Sequence, residues 1–388
     1  MQDTELINKI LLTQRRMTPA LSPKQRPFIK EHPIGDKRGL LVVGPRGVGK
    51  TTILLVAAQR QNILYVSVDS PLVANRTLTE LADAAFIEGF DGVAFDEVHH
   101  SSNWSLHCKS IYDSNPKKKI WLSDSSSLVL QRGAGDLSRR FPKLKVPLLS
   151  FREYLSLKIE NNFDPFDPFS AKLDDFQSVQ STCNVMGLFK KYLREGFRPI
   201  FLEGDYKERI LGIIEKSIYT DIPFYVHKIQ ENHMRAMNAI VGFLATAPIP
   251  TINIDSMATQ WSMGKEKLYQ LLDVMEQVGL VSIIRHSRDF HSSGKGAKIF
   301  FTDPSMYAAL DGNIGNVREA FVATMFRQAG KAIFACKNEQ DGDFEVEKLR
   351  LEIGGKSKPS KSADFVIRDD VDLPAGKQIP MWALGMMY

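Results

Sequence analysis

Short apolar-rich runs alternate with longer amphipathic stretches along the first part of the chain. Gly39–Val43, Ile63–Val68, Gly92–Phe95, Ile120–Leu122 and Leu144–Leu149 have strand length, and Thr51–Gln61 between the first two has helical length. Thr77-Leu-Thr-Glu80 places a hydroxyl and a carboxylate three residues apart, the signature of a capping box at a helix start. Strands that are apolar throughout, separated by helices, predict an α/β fold with a parallel sheet covered on both faces.

The pattern changes after Leu157. Asn161-Asn-Phe-Asp-Pro-Phe-Asp-Pro-Phe169 is punctuated by proline and aspartate and marks a boundary. Apolar residues recur at helical spacing from about Asp174 to Leu244, and Ala247-Pro-Ile-Pro250 interrupts them. Thr251–Tyr269 has the rhythm of a helix–turn–helix, with Ile254, Met257 and Ala258 facing inward and Ser262 as N-cap of the second helix. Leu268, Leu271, Leu272 and Met275 supply that helix's buried face, and Gly279 ends it. Leu280–Arg285 and Ala297–Phe301 then predict a hairpin with its tip at Ser292–Gly296. The last stretch holds a helix at Asn316–Ala329 and strand-like segments at Ala332–Cys336, Phe344–Glu352 and Ala363–Ile367.

Composition narrows the class without naming it. The chain has 388 residues, enough for about two to three domains. Hydrophobic residues at 43% and charged residues at 24% exclude a largely disordered chain. Cys108, Cys183 and Cys336 are far apart and form no CxxC pair, which suits a reducing compartment. No run approaches the roughly 18 apolar residues of a membrane span, and the polar start is no signal peptide, so the expected location is cytoplasmic, without a membrane partner. The net charge of +5 is too mild to diagnose a nucleic-acid partner.

Chemistry enters at Gly44-Pro45-Arg46-Gly47-Val48-Gly49-Lys50-Thr51, followed by Thr52. It matches the G-x-x-x-x-G-K-[ST] phosphate loop and lies between a predicted strand and a predicted helix. Its glycines let backbone N–H groups wrap a phosphate at a helix N-terminus; Lys50 reaches the β/γ-phosphates and Thr51 ligates Mg²⁺. Gly92-Val-Ala-Phe-Asp96-Glu97 is an apolar strand ending in two acids. Asp96 there serves Mg²⁺, and Glu97 polarises an attacking water. No Asn-Lys-x-Asp guanine motif occurs, so ATP is the expected nucleotide. Ile120-Trp-Leu-Ser-Asp-Ser-Ser-Ser127 ends a further strand in hydroxyls, with Ser125 ahead of Ser123 as a γ-phosphate contact.

Glu97–Asp113, this serine-ended strand, Ser138-Arg-Arg-Phe141 and Pro147-Leu-Leu-Ser-Phe-Arg-Glu-Tyr154 together resemble one family. It is the bacterial and archaeal AAA-type ATPases that join a P-loop domain to a winged helix and a C-terminal restriction-endonuclease-like domain. The resemblance is strongest over residues 40–155 and weakest after 330. It implies a P-loop core of the AAA+ superfamily, ATP and Mg²⁺. It also assigns Arg140 as a γ-phosphate or neighbour-subunit contact. The expected division is an ATPase domain at 1–158, a helical connector at 159–235, a winged helix at 236–303 and a small α+β domain at 304–388.

Other candidates are weighed against that frame. His99, His100, His107 and Cys108 lie close together but fit no standard zinc spacing, so no zinc is expected. Glu319 and Asp364 match two acids of the endonuclease-like pattern. Trp382 and Leu384 stand where its remaining acid and lysine belong, so nuclease activity is not expected. In the winged helix, Lys265, Lys267, Arg285, Arg288, Lys295 and Lys298 are the candidate contacts to double-stranded DNA. The expected function is an ATP-hydrolysing molecular switch coupled to that module. The alternative is a regulatory DNA- or protein-binding protein that uses ATP as a conformational ligand. A protein partner or further copies of the chain complete the expected partners.

Overall fold

The structure is a computed structural model that describes residues 3–125, 137–226, 229–248, 251–287, 297–338, 340–355 and 362–388. Its contacts divide the chain into two units, Met1–Pro147 and Leu148–Tyr388.

The first unit is built on a five-stranded parallel sheet. Its strands are β1 (Gly39–Val43), β2 (Ile63–Ser67), β3 (Gly92–Asp96), β4 (Lys119–Asp124) and β5 (Lys143–Lys145), in the order β2-β3-β4-β1-β5. The helices of this unit are α1 (Asp3–Met17), α2 (Pro27–Glu31), α3 (Lys50–Gln59), α4 (Leu78–Ile87) and α5 (Trp104–Ser114). Side chains of α1, α4 and α5 close over Leu41, Leu64, Val66, Phe95 and Leu122 to form one core. The Thr77/Glu80 capping box is present at the start of α4. The fifth strand is shorter than its apolar run. Val146 N still donates to Val43 O, but Pro147 next to it has no N–H to extend the ladder.

Edge strand β2 is closed by a side chain. The buried Gln14 of α1 donates from Nε2 to Ile63 O (3.2 Å) and accepts from Tyr65 N at Oε1 (3.0 Å). One carboxamide thus satisfies a donor and an acceptor that a neighbouring strand would otherwise take.

In the second unit, α6 (Phe151–Ile159) opens on a Ser150/Glu153 capping box, and α7 (Leu173–Thr182), α8 (Val185–Glu195) and α9 (Tyr206–Lys216) follow. Arg198 and Asp303 pair at 2.6 Å with almost no exposure, tying this helical stretch to the residues before α14. Helices α10 (Ile222–Tyr225) and α11 (Glu231–Thr246) lead to α12 (Ile254–Gln260) and α13 (Lys265–Gln277). An antiparallel ribbon of β6 (Val281–Ile284) and β7 (Lys298–Phe301) comes next. Ile254, Met257 and Ala258 are buried, as are Leu268, Leu271, Leu272 and Met275. Ser262 is not the N-cap of α13: Gly264 takes that position, and Ser262 is in the left-handed region at φ 50°. The hairpin tip, with Arg288 and Lys295, lies outside the described residues.

The chain then runs through α14 (Ser305–Ala309) and α15 (Ile314–Gln328) into a second five-stranded sheet. It comprises β8 (Ile333–Ala335), β9 (Phe344–Val346), β10 (Leu349–Gly354), β11 (Phe365–Arg368) and β12 (Gln378–Pro380), ordered β12-β11-β10-β9-β8. Phe344–Glu352, read as one strand-like segment, is a tight antiparallel hairpin, because Glu347 and Lys348 both take positive φ. The segment from Gln378 is a strand only to Pro380; Met381–Leu384 is a helical turn, α16. Trp382 and Leu384 are therefore buried helical residues rather than strand positions.

Candidate functional site

The site grows from the carboxyl end of β1. Gly44 leaves that strand against Val146, where a Cβ on residue 44 would meet the Val146 carbonyl at 2.4 Å. Gly49 takes φ 97°, a conformation that costs a side-chain-bearing residue energy, and serves as N-cap of α3. The loop thereby delivers Lys50 and Thr51 at a helix N-terminus, where backbone N–H groups favour an anion. Lys50 is buried and donates from Nζ to the loop carbonyls of Gly44 (3.0 Å) and Pro45 (3.1 Å). Burial pushes its pKa below the ordinary lysine value, and the charges of Glu97, Asp96 and Asp124 offset part of that fall.

Beside it stand the acids at the end of β3. Thr51 Oγ1 donates to Asp96 Oδ2 at 2.6 Å, the contact expected of two residues that share one divalent cation. Asp96 also accepts from the Tyr65 hydroxyl at Oδ2 (2.7 Å) and from Ser123 Oγ at Oδ1. Glu97 follows with φ 56° and ψ 50°, a left-handed conformation uncommon for a residue with a side chain. The turn directs its carboxylate toward Ser125, which donates to Oε1 at 2.6 Å, and toward Arg46 of the loop, 3.8 Å from Oε1. Among the described residues, Glu97 Oε2 is buried and accepts no hydrogen bond.

The structure thus brings the loop, Asp96, Glu97 and Ser125 together. Ser125 contacts the Glu97 carboxylate, and Ser123 takes Asp96. Arg140 does not reach this site within its own chain. Its carbonyl lies against Gly39 at the opposite end of β1, and its guanidinium makes a two-pronged pair with Asp113 (2.7 and 2.8 Å). The five residues of β1 separate the two ends by roughly 13 Å.

Three residues of the site were given no role beside the nucleotide by the sequence. Tyr65 reads as one more apolar position of β2, yet its hydroxyl serves Asp96. Burial and the Asp96 charge raise its pKa far above the ordinary phenol value. Asp124 reads as part of a polar strand end, yet it is fully buried and binds His99. His99 reads as a polar helix start but is 5% exposed. The structure also brings ligand-capable atoms of Glu97, His99 and His100 within 4.8 Å of one another, a grouping that the spacing rules did not suggest. Nδ1 of His99 is already engaged with Asp124 at 2.9 Å.

In the second unit, two of the six candidate DNA contacts are committed elsewhere. Lys298 is largely buried and donates to Glu319 Oε2 (2.6 Å) and Asp343 Oδ1 (3.2 Å). Arg285 pairs with Glu276 at 3.1 Å. Lys265 is exposed and paired with Asp255 at 2.5 Å, and Lys267 is half-buried on α13. Of the two acids matched to the endonuclease-like pattern, Glu319 is held by Lys298, and Asp364 accepts from Arg350 N at 2.8 Å.

Comparison with known proteins bears on the first unit. Residues 36–155 match the AAA domain family. No curated protein sequence matches the chain. Among solved structures, a Walker-type ATPase of Pyrococcus abyssi is similar over 75% of this chain and 99% of its own, at 16% identity and TM-score 0.41. AMPPCP-bound DnaA from Aquifex aeolicus covers 64% of this chain and 86% of its own, at 17% identity and TM-score 0.28. A RuvB variant from Thermotoga maritima covers 71% and 88%, at 14% identity and TM-score 0.29. No described helix is long and apolar enough to cross a membrane.

Proposed function

Residues 36–155 being an AAA domain of the P-loop ATPase class, we propose that the chain binds and hydrolyses ATP at the β1–α3 loop and works as a nucleotide-driven switch. The observation that carries the reading is the 2.6 Å contact of Thr51 with Asp96 beside a buried lysine and a glutamate in a left-handed turn. The donor set fits a nucleotide with Mg²⁺. The backbone of Gly44–Gly49 and the Lys50 ammonium suit phosphate oxygens, while Thr51 and Asp96 would hold the metal. When bound, Mg²⁺ neutralises phosphate charge during transfer. Lys50 orients the phosphates, Glu97 accepts a proton from the attacking water, and Ser125 fixes the direction of the Glu97 carboxylate. Ser123 and Tyr65 hold Asp96 from two further sides. Lys50→Ala and Glu97→Gln in an ATPase assay test this directly, and unchanged turnover in both would sink it.

We read residues 236–303 as a winged helix, on the order helix–helix–ribbon and the buried face of α13. Lys265 and Lys267 are its remaining candidate DNA contacts among the described residues. Arg140 suits a nucleotide on a neighbouring copy, since its own phosphate loop lies at the far end of β1. Size-exclusion mass with and without ATP and DNA tests assembly and nucleic-acid partnership together. A monomer under all conditions, with no DNA shift, excludes both.

A further inference from the structure

The end of β4 touches the three side chains around the turn after β3 with three successive residues of its own. Ser123 donates to Asp96, Asp124 binds His99, and Ser125 donates to Glu97. The middle contact has no part in the ATPase mechanism above. Asp124 is fully buried, and its Oδ2 receives both the ring Nδ1 (2.9 Å) and the backbone amide (3.3 Å) of His99. A buried carboxylate needs such donors. Because a carboxylate only accepts, Asp124 fixes the hydrogen of the ring on Nδ1. The same Nδ1 faces Glu97 Oε2 at 3.5 Å, the oxygen that Ser125 does not hold and that accepts no hydrogen bond among the described residues.

We propose that His99, oriented by Asp124, is a positioning residue that sets the direction of the Glu97 carboxylate for ATP hydrolysis. The inference rests on Glu97 being the base. Ser125 holds one oxygen of that carboxylate by a hydrogen bond, and the His99 ring stands 3.5 Å from the other. The charged and titratable groups facing His99 are Asp124 from β4, Glu97 and His100 from its own turn, and Arg46 from the phosphate loop. Burial disfavours the cationic ring, but the hydrogen bond and charge of Asp124, with Glu97 behind them, outweigh it and raise the His99 pKa.

Three variants separate positioning from structure. His99→Leu removes both contacts; we expect kcat to fall roughly ten- to hundredfold, since small misplacements of a catalytic group carry costs of that order. Nucleotide affinity should stay within about twofold of wild type. His99→Asn can keep the bond to Asp124 and should restore most of kcat. Wild-type kcat in His99→Leu, or no recovery in His99→Asn, would overturn the assignment. Should His99→Leu not fold, Asp124→Asn carries the same test, with a loss of kcat expected and an unchanged kcat contradicting it. Glu97→Gln run alongside keeps the two readings apart. Turnover surviving there removes the base itself, whereas an inactive Glu97→Gln with an unaffected His99→Leu removes only the role of His99.

Discussion

At the residue scale, the site depends on how many donors each acid collects. Asp96 accepts from Thr51, Tyr65 and Ser123, three hydroxyls from three different segments. Tyr65→Phe keeps the ring and deletes one donor, worth about 1 kcal/mol for a neutral hydrogen bond and more toward a charged group. A several-fold rise in the Mg²⁺ concentration that half-saturates ATPase activity is therefore expected, with Mg²⁺-free nucleotide binding unchanged. An unaltered Mg²⁺ titration would show that Thr51 and Ser123 hold Asp96 without help. His99 has a consequence for stability as well. Its folded pKa is raised, so its ion pairs contribute stability that is full below the ordinary histidine value near 6.5. That contribution is lost as pH rises through the folded value. The difference in denaturation midpoint between wild type and His99→Asn should shrink as pH rises from 6 toward 9; a difference independent of pH would contradict the charge assignment. The phosphate loop was legible because its chemistry sits in eight consecutive residues. Tyr65, His99 and Asp124 were not, because their contacts span 31 and 25 positions and join strands whose pairing the sequence does not state.

At the element scale, strands and helices of the first unit follow the apolar pattern closely. The misreadings arise where backbone conformation or tertiary pairing overrides it. Two consecutive positive φ values at Glu347 and Lys348 turn one apolar stretch into a hairpin. Arg285 and Lys298 looked like a basic hairpin until Glu276, Glu319 and Asp343 arrived from other elements. Lys298 joins β7, α15 and the residue before β9, and removing it leaves two largely buried carboxylates without their cation. Lys298→Met should destabilise the second unit by about 3–5 kcal/mol, read as a lower denaturant midpoint. A neutral result would mean that the acids are reached by water or by other donors. Gln14 acts on an element too. Gln14→Leu leaves the Ile63 carbonyl and Tyr65 amide of edge strand β2 without their partner, which should cost about 1–3 kcal/mol and raise the tendency to associate edge to edge. Light scattering and a denaturation curve would both register it.

At the scale of the whole molecule, a net charge of +5 turns out to conceal opposed local balances. The second unit commits several cations to internal pairs: Arg198 with Asp303, Arg285 with Glu276, and Lys298 with Glu319 and Asp343. Of the candidate DNA contacts proposed for the winged helix, Lys265 and Lys267 remain among the described residues. Replacing both by alanine should reduce the slope of log affinity against log salt by about 0.9 for each phosphate that is no longer neutralised. An unchanged slope would move the partner from DNA to protein. The central claim is narrower than the partner: this chain hydrolyses ATP with Glu97 as its base. The most direct measurement is steady-state ATP turnover of Glu97→Gln, with nucleotide affinity determined on the same sample. Hydrolysis at this site predicts turnover reduced by about a hundredfold or more with affinity retained. Turnover equal to wild type would contradict it.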